Sequence, residues 1–133
     1  MIVAIDSNII LDVILPNPDF FAESRAVLAK TGFDFYVSAS SITDIFYITK
    51  KSCGSAERAK DVLRKILEIV SVAGVDENCI IRALNADWKD FEDCVQYNTA
   101  QQIKAEIIIT RNTKDYESSA IRVMSPKEFL SMF

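Results

Sequence analysis

The chain predicts an α/β fold: a three-layer α/β/α domain built on a central parallel sheet. Two observations point to it. Short runs of consecutive apolar, β-branched residues recur along the sequence, and segments of helical period alternate with them. Strands buried on both faces read as unbroken apolar runs, whereas a half-wet antiparallel strand alternates, so this pattern marks a parallel sheet covered by helices. A third observation bounds the fold. The 133 residues contain no linker, internal repeat or low-complexity stretch, so residues 1–133 read as a single domain.

The elements follow in order. IVAI, residues 2–5, is a short buried strand cut off by Asp6. NIILDVILP supplies a helical turn or two, ended at Pro16. Residues 19–32, DFFAESRAVLAKTG, are roughly helical, with Gly32 as the C-terminal cap. FDFYVS, 33–38, is a second strand, and SSITDIFYITKKS a helix with a Ser or Thr start. The clearest helix covers residues 55 to about 70. There Ala59, Val62, Leu63, Ile66, Leu67 and Val70 fall on one face, and Asp61 stands four residues before Lys65, in the favourable order for an ion pair. Residues 71–75 read as a strand, Asp76 as the cap of a helix to about residue 86, and 90–104 as another helix. IIIT (107–110) and IRVM (121–124) are the last strands. SPKE, 125–128, places Ser at the cap, Pro at N1 and Glu at N3 of a closing helix.

Composition excludes several chemistries. There is no histidine, and the three cysteines, Cys53, Cys79 and Cys94, are far apart and in no CxxC arrangement. A zinc site is disfavoured, because Zn²⁺ prefers sulfur and imidazole. Ser-His-Asp and Cys-His hydrolase schemes fall with the histidine. An enzyme built from this chain must use carboxylates or a hard metal. No apolar run approaches the roughly 20 residues of a membrane span. The N-terminus lacks the basic start of a signal peptide, so the expected location is the cytoplasm. The net charge of −4 argues against indiscriminate adhesion to nucleic acid. Six of the 15 Lys and Arg nevertheless lie between positions 50 and 65: Lys50, Lys51, Arg58, Lys60, Arg64 and Lys65. Two readings stay open for that group, a solvated helix face and a phosphate-contacting edge.

Ligands of an open parallel sheet bind outside the carboxyl ends of its strands. Four acids fall there: Asp6 ends the first strand, Asp115 follows IIIT, Asp44 lies one turn into the helix after the second strand, and Asp93 opens a helix in DFED. Any one of them alone reads as a helix cap or turn former. Four converging on one end of one sheet would repel one another unless a divalent cation neutralised them. Mg²⁺ or Mn²⁺ suits such an all-oxygen site.

AIDSNIILDVI, SSITDIFYI, DFEDCVQYNTA and IIITRNTKDY resemble, in order and spacing, the four motifs of the PIN domain. The likeness covers nearly the whole chain and extends to the VapC-type toxin ribonucleases. What it implies is a metal-dependent endoribonuclease that cleaves single-stranded RNA by metal-activated water, the toxin of a toxin–antitoxin pair. Carried over residue by residue, the catalytic acids are Asp6, Asp44, Asp93 and Asp115, with Asp6, Asp93 and Asp115 as metal ligands. Asn8, Thr110 and Asn112 match the polar positions that support the acids or contact substrate. Arg111 either steadies a phosphate or pairs with a neighbouring Asp. Two departures stand out. The second acid is usually Glu, so Asp44 is one methylene short. The third motif offers Asp90, Glu92 and Asp93, of which Asp93 has the matching spacing and Asp90 is the fallback on the same helix face. The partners implied are RNA, an antitoxin protein and a second copy of the chain, with no membrane. Two rival readings remain: a PIN fold that has lost catalysis and serves as a binding or scaffold module, and an aspartyl-nucleophile phosphate-handling domain. The latter would want an acid where Asn8 stands.

Overall fold

The computed structural model describes residues 1–133. In chain order its strands are β1 (Ile2–Ile5), β2 (Asp34–Ser38), β3 (Ser71–Ala73), β4 (Ile107–Ile109) and β5 (Arg122–Met124). The helices are α1 (Ser7–Ile14), α2 (Phe21–Leu28), α3 (Ala39–Cys53), α4 (Ala56–Ile66), α5 (Glu77–Asn85), α6 (Phe91–Gln102) and α7 (Pro126–Met132). A 3₁₀ turn spans Thr113–Tyr116. All neighbouring strands pair in parallel, in the order β3-β2-β1-β4-β5.

The pleat divides the apolar runs between two layers. Val3, Ile5, Phe35, Val37, Ile107 and Ile109 face a core shared with α1, α2, α3, α4 and α7. Ala4 and Ile108 face the other side, where Tyr97 and Ala100 of α6 and Tyr116 pack. Helix α5 backs α6 through Ala83, Cys94 and Val95. From β1 the chain steps outward to β2 and β3 with helices on the first face. It then crosses by α5 and α6 on the opposite face and re-enters on the far side of β1. Reversing both direction and face keeps the crossovers of one hand. The switch point therefore lies between β1 and β4, where Val3 pairs with Ile107 and Ile5 with Ile109, and the Asp6 N–H donates to the Ile109 carbonyl at 2.9 Å.

Local departures from the sequence reading have local causes. Helix α2 is closed by Ala29, and Gly32 sits in the turn beyond, where its φ of +85° needs glycine. Helix α4 stops at Ile66 because i→i+3 bonds from Glu68 and Ile69 tighten its last turn. That turn buries Val70 and leaves Leu67 exposed. Asp61 pairs with Arg64 at 2.7 Å rather than with Lys65, since the guanidinium one position nearer presents a donor fork. The strand read over 71–75 is three residues long. Ser125 accepts from the Glu128 N–H at 3.1 Å, with Pro126 at the first position, as the SPKE pattern predicts. No helix is long and apolar enough to cross a membrane.

Candidate acidic site at the strand ends

Asp6 occupies the N-cap position of α1, yet its side chain makes no capping bond. The bland reading of this residue therefore fails. Its carboxylate, 6% exposed, turns instead to the β4 exit. Oδ2 accepts from Thr110 Oγ1 at 2.7 Å, from Asn8 Nδ2 at 3.3 Å and, at 3.5 Å, from the Tyr116 hydroxyl. Oδ1 accepts only a long 3.4 Å contact from Ser7. Thr110 Oγ1 in turn accepts the Asn112 N–H at 3.1 Å, so its own proton is directed to Asp6. Burial raises the Asp6 pKa above the usual carboxylate range, against the pull of these donors.

Asp93 stands in the first turn of α6, held by the cap: Asp90 Oδ1 accepts the Asp93 N–H at 2.9 Å. Asp90, the fallback acid, is thus a helix cap. Burial, followed by the charges of Asp6, Asp90 and Asp115, pushes the Asp93 carboxyl up to about 7. Asp93 Oδ1 also accepts from the Tyr116 hydroxyl at 3.4 Å. That hydroxyl is buried with two carboxylates in reach and one proton to give. Burial and the two negative charges hold its pKa far above the phenolic range. Sequence reasoning missed Tyr116, because an aromatic after an acid reads as core. Asp115, exposed in the 3₁₀ turn, reaches Asp93 through its charge.

Asp44 is exposed in the second turn of α3. Its neighbour across the cleft is Glu92. Burial raises the Glu92 pKa, as do the charges of Asp44, Asp90 and Asp6. Glu92, set aside in favour of Asp93 from the sequence, therefore belongs to the same acidic site. Asn8 links α1 to the β4 exit, accepting the Arg111 N–H at 3.5 Å. Asn112 contributes through its backbone. Arg111 resolves to the structural alternative. Its Nε lies 2.9 Å from Oδ2 of Asp12, which is 2% exposed. The approach is close but not aligned as a hydrogen bond, so the attraction is Coulombic. The guanidinium also sits 4.2 Å over the Phe20 ring.

The acids are not gathered to ligating separation: no three of them form a group that could grip one ion. Repulsion between carboxylates opposes closer approach. They stand as a pair, buried Asp6 and half-buried Asp93, bridged by Tyr116, with Asp90 and Asp115 near Asp93 and with Asp44 and Glu92 as a second pair. The donor set fits a hard divalent cation, being all oxygen, with two carboxyl groups made avid for positive charge by burial and by one another.

The chain matches the family model described as PIN domain over residues 2–114, a span that includes Asp6, Asp44 and Asp93 and stops one short of Asp115. It is similar to Ribonuclease VapC1 of Aquifex aeolicus (strain VF5), 28% identical over 134 residues that cover 96% of this chain and 92% of the relative. Its fold is similar to a toxin–antitoxin complex from Klebsiella pneumoniae, with TM-score 0.71, 22% identity, and 93% of this chain and 97% of that one covered. It is similar also to VapBC2 from Rickettsia felis bound to a DNA fragment from their promoter, with TM-score 0.69, 17% identity, and coverage of 94% and 98%.

Proposed function

Since the chain belongs to the PIN domain family, we propose that it is an Mg²⁺- or Mn²⁺-dependent endoribonuclease acting on single-stranded RNA, the toxin of a toxin–antitoxin pair. The observation that carries this reading is Asp6: a buried acid at the topological switch point, freed from capping, with three donors on Oδ2 and only a long Ser7 contact on Oδ1. The relative named as a ribonuclease and the toxin–antitoxin folds support the same direction.

In this reading Asp6, Asp93 and Asp115 would hold the cation, whose charge would offset the repulsion that keeps the three acids apart. Bound there, it supplies the Lewis acidity that phosphodiester hydrolysis requires. The chain's own groups do the rest. Thr110 and Asn8 occupy Oδ2 of Asp6 and leave Oδ1 free to ligate. Tyr116 occupies one oxygen of Asp93 and orients the other. Asp44, beside Glu92, orients the attacking water. No histidine is present to act as base, and no Ser or Cys has an activating partner.

Cleavage of a mixed RNA pool should require Mg²⁺ or Mn²⁺, stop in EDTA, yield 5′-phosphate ends, and fall by orders of magnitude in Asp6→Asn without loss of fold. Cleavage that survives EDTA, or is equal in the variant, overturns the mechanism. No cleavage with any metal favours the inactive binding module. A second copy and an antitoxin are the partners this reading implies. Light scattering of the chain alone, and again with the product of a small neighbouring reading frame, tests both.

A further inference from the structure

An open pocket of about 430 Å³ lies beside the acids, walled by Asp87, Asp90, Asp115 and Glu117 and also lined by Lys89, Lys114 and Trp88. Two Lys-Asp dipeptides face it, one entering α6 and one in the 3₁₀ turn. Trp88 holds the two segments together, stacked on Tyr97 at 4.9 Å and edge-on to Tyr116 at 5.6 Å. Although acids share the pocket, neither lysine pairs with any of them. The ion pairs of the structure are Lys60–Glu57, Arg64–Asp61 and Arg111–Asp12.

An acidic cleft repels a polyanion, so its substrate must find positive charge close by. Arg111 is consumed by Asp12 and Phe20. Lys50 and Lys51 lie in the last turn of α3, six and seven residues past Asp44, which is about 9–10 Å along the helix. They line a different groove, with Tyr47 and Ile48. Lys89 and Lys114 are the cations that share a pocket with the acids.

Resting on the ribonuclease reading, we propose that Lys89, Lys114 and Trp88 form a subsite for single-stranded RNA next to the acids. The two ammonium groups take phosphates flanking the scissile one, and Trp88 offers the aromatic wall for a base.

The test uses the full chain carrying Asp6→Asn, so that RNA is bound and not cut, titrated in Mg²⁺ with a short single-stranded RNA at several salt concentrations. Trp88 is the only tryptophan, so its fluorescence reports this pocket. The expected results are a change in that fluorescence on saturation, and for Lys89→Gln/Lys114→Gln a weaker affinity with a salt slope shallower by about 1.4, about 0.7 per lost phosphate contact. Unchanged fluorescence overturns the subsite. So does an unchanged slope, or a slope that falls only in Arg58→Gln/Arg64→Gln/Lys65→Gln. Displacement of the RNA by a poly-glutamate peptide as readily as by RNA would give the lysines to an acidic protein, and also overturns it. Cleavage by the wild-type chain is measured in parallel. Lysine-dependent binding with no cleavage defeats the nuclease reading alone, and cleavage with lysine-independent binding defeats the subsite alone.

Discussion

At the scale of the residue, the carboxylates of buried Asp6 and half-buried Asp93 are governed by few atoms. Tyr116 donates one proton toward Asp6 and Asp93, over long contacts of 3.5 and 3.4 Å. Removing it should loosen both without emptying the core. Tyr116→Phe is therefore expected to fold normally, to weaken divalent-ion binding in calorimetry, and to lower kcat by about 10–100-fold with little change in KM, as for other groups that orient ligands. An unchanged binding isotherm would reduce the hydroxyl to a packing role. Asp93 contributes to the pH dependence in the same direction as the raised carboxyls of Asp6 and Glu92. Between 3.8 and about 7 the folded chain keeps a proton on Asp93 that the unfolded chain has released. The stability this group contributes is complete below 3.8 and is lost as pH rises through about 7. In chelator, the melting temperature should fall over that window relative to Asp93→Asn, which removes the titration. Added Mg²⁺ should raise it more at pH 8 than at pH 5, because protons and cations compete for the same oxygens.

At the scale of the element, strand ends were legible and side-chain directions were not. Asp6 announces itself because an unbroken apolar run stops just before it, and Asp115 follows five residues past the run that ends at Thr110. Of the acids in DFED, Asp90 spends one carboxylate oxygen capping α6, whereas Asp93 faces Tyr116. The coupling of Glu92 to Asp44 could not be read, because it joins the first turn of α6 to the second turn of α3 across the cleft, and no local pattern encodes that meeting. Asp12 was hidden for the same reason. It reads as one polar residue in an apolar helix, yet it is buried, accepts from Ser24 of α2 at 3.0 Å and faces Arg111 beyond β4. That node ties α1, α2 and the β4 exit. Arg111→Gln strips a buried carboxylate of its counter-charge and should cost about 3–5 kcal/mol in urea unfolding. It should leave the salt slope of RNA binding where it was. A fall in slope would return Arg111 to the substrate.

At the scale of the whole molecule, the predicted layers and parallel sheet are present, and the strand order explains why the acids meet. The order in which strands are added reverses between β1 and β4, and Asp6, Thr110 and the 3₁₀ turn leave from that seam. The same adjacency has a temporal side. β1 waits for a neighbour about a hundred residues downstream, Ile5 for Ile109, whereas β1, β2 and β3 pair in simple succession. Contacts of such sequence separation form slowly. A chain emerging from the ribosome builds its N-terminal half first, while Asp93, Thr110 and Tyr116 are still to be made. An enzyme that attacks RNA would thus be harmless to the message and the ribosome producing it until synthesis is nearly finished. Released fragments that end before residue 107 should bind no divalent ion, and the full chain should.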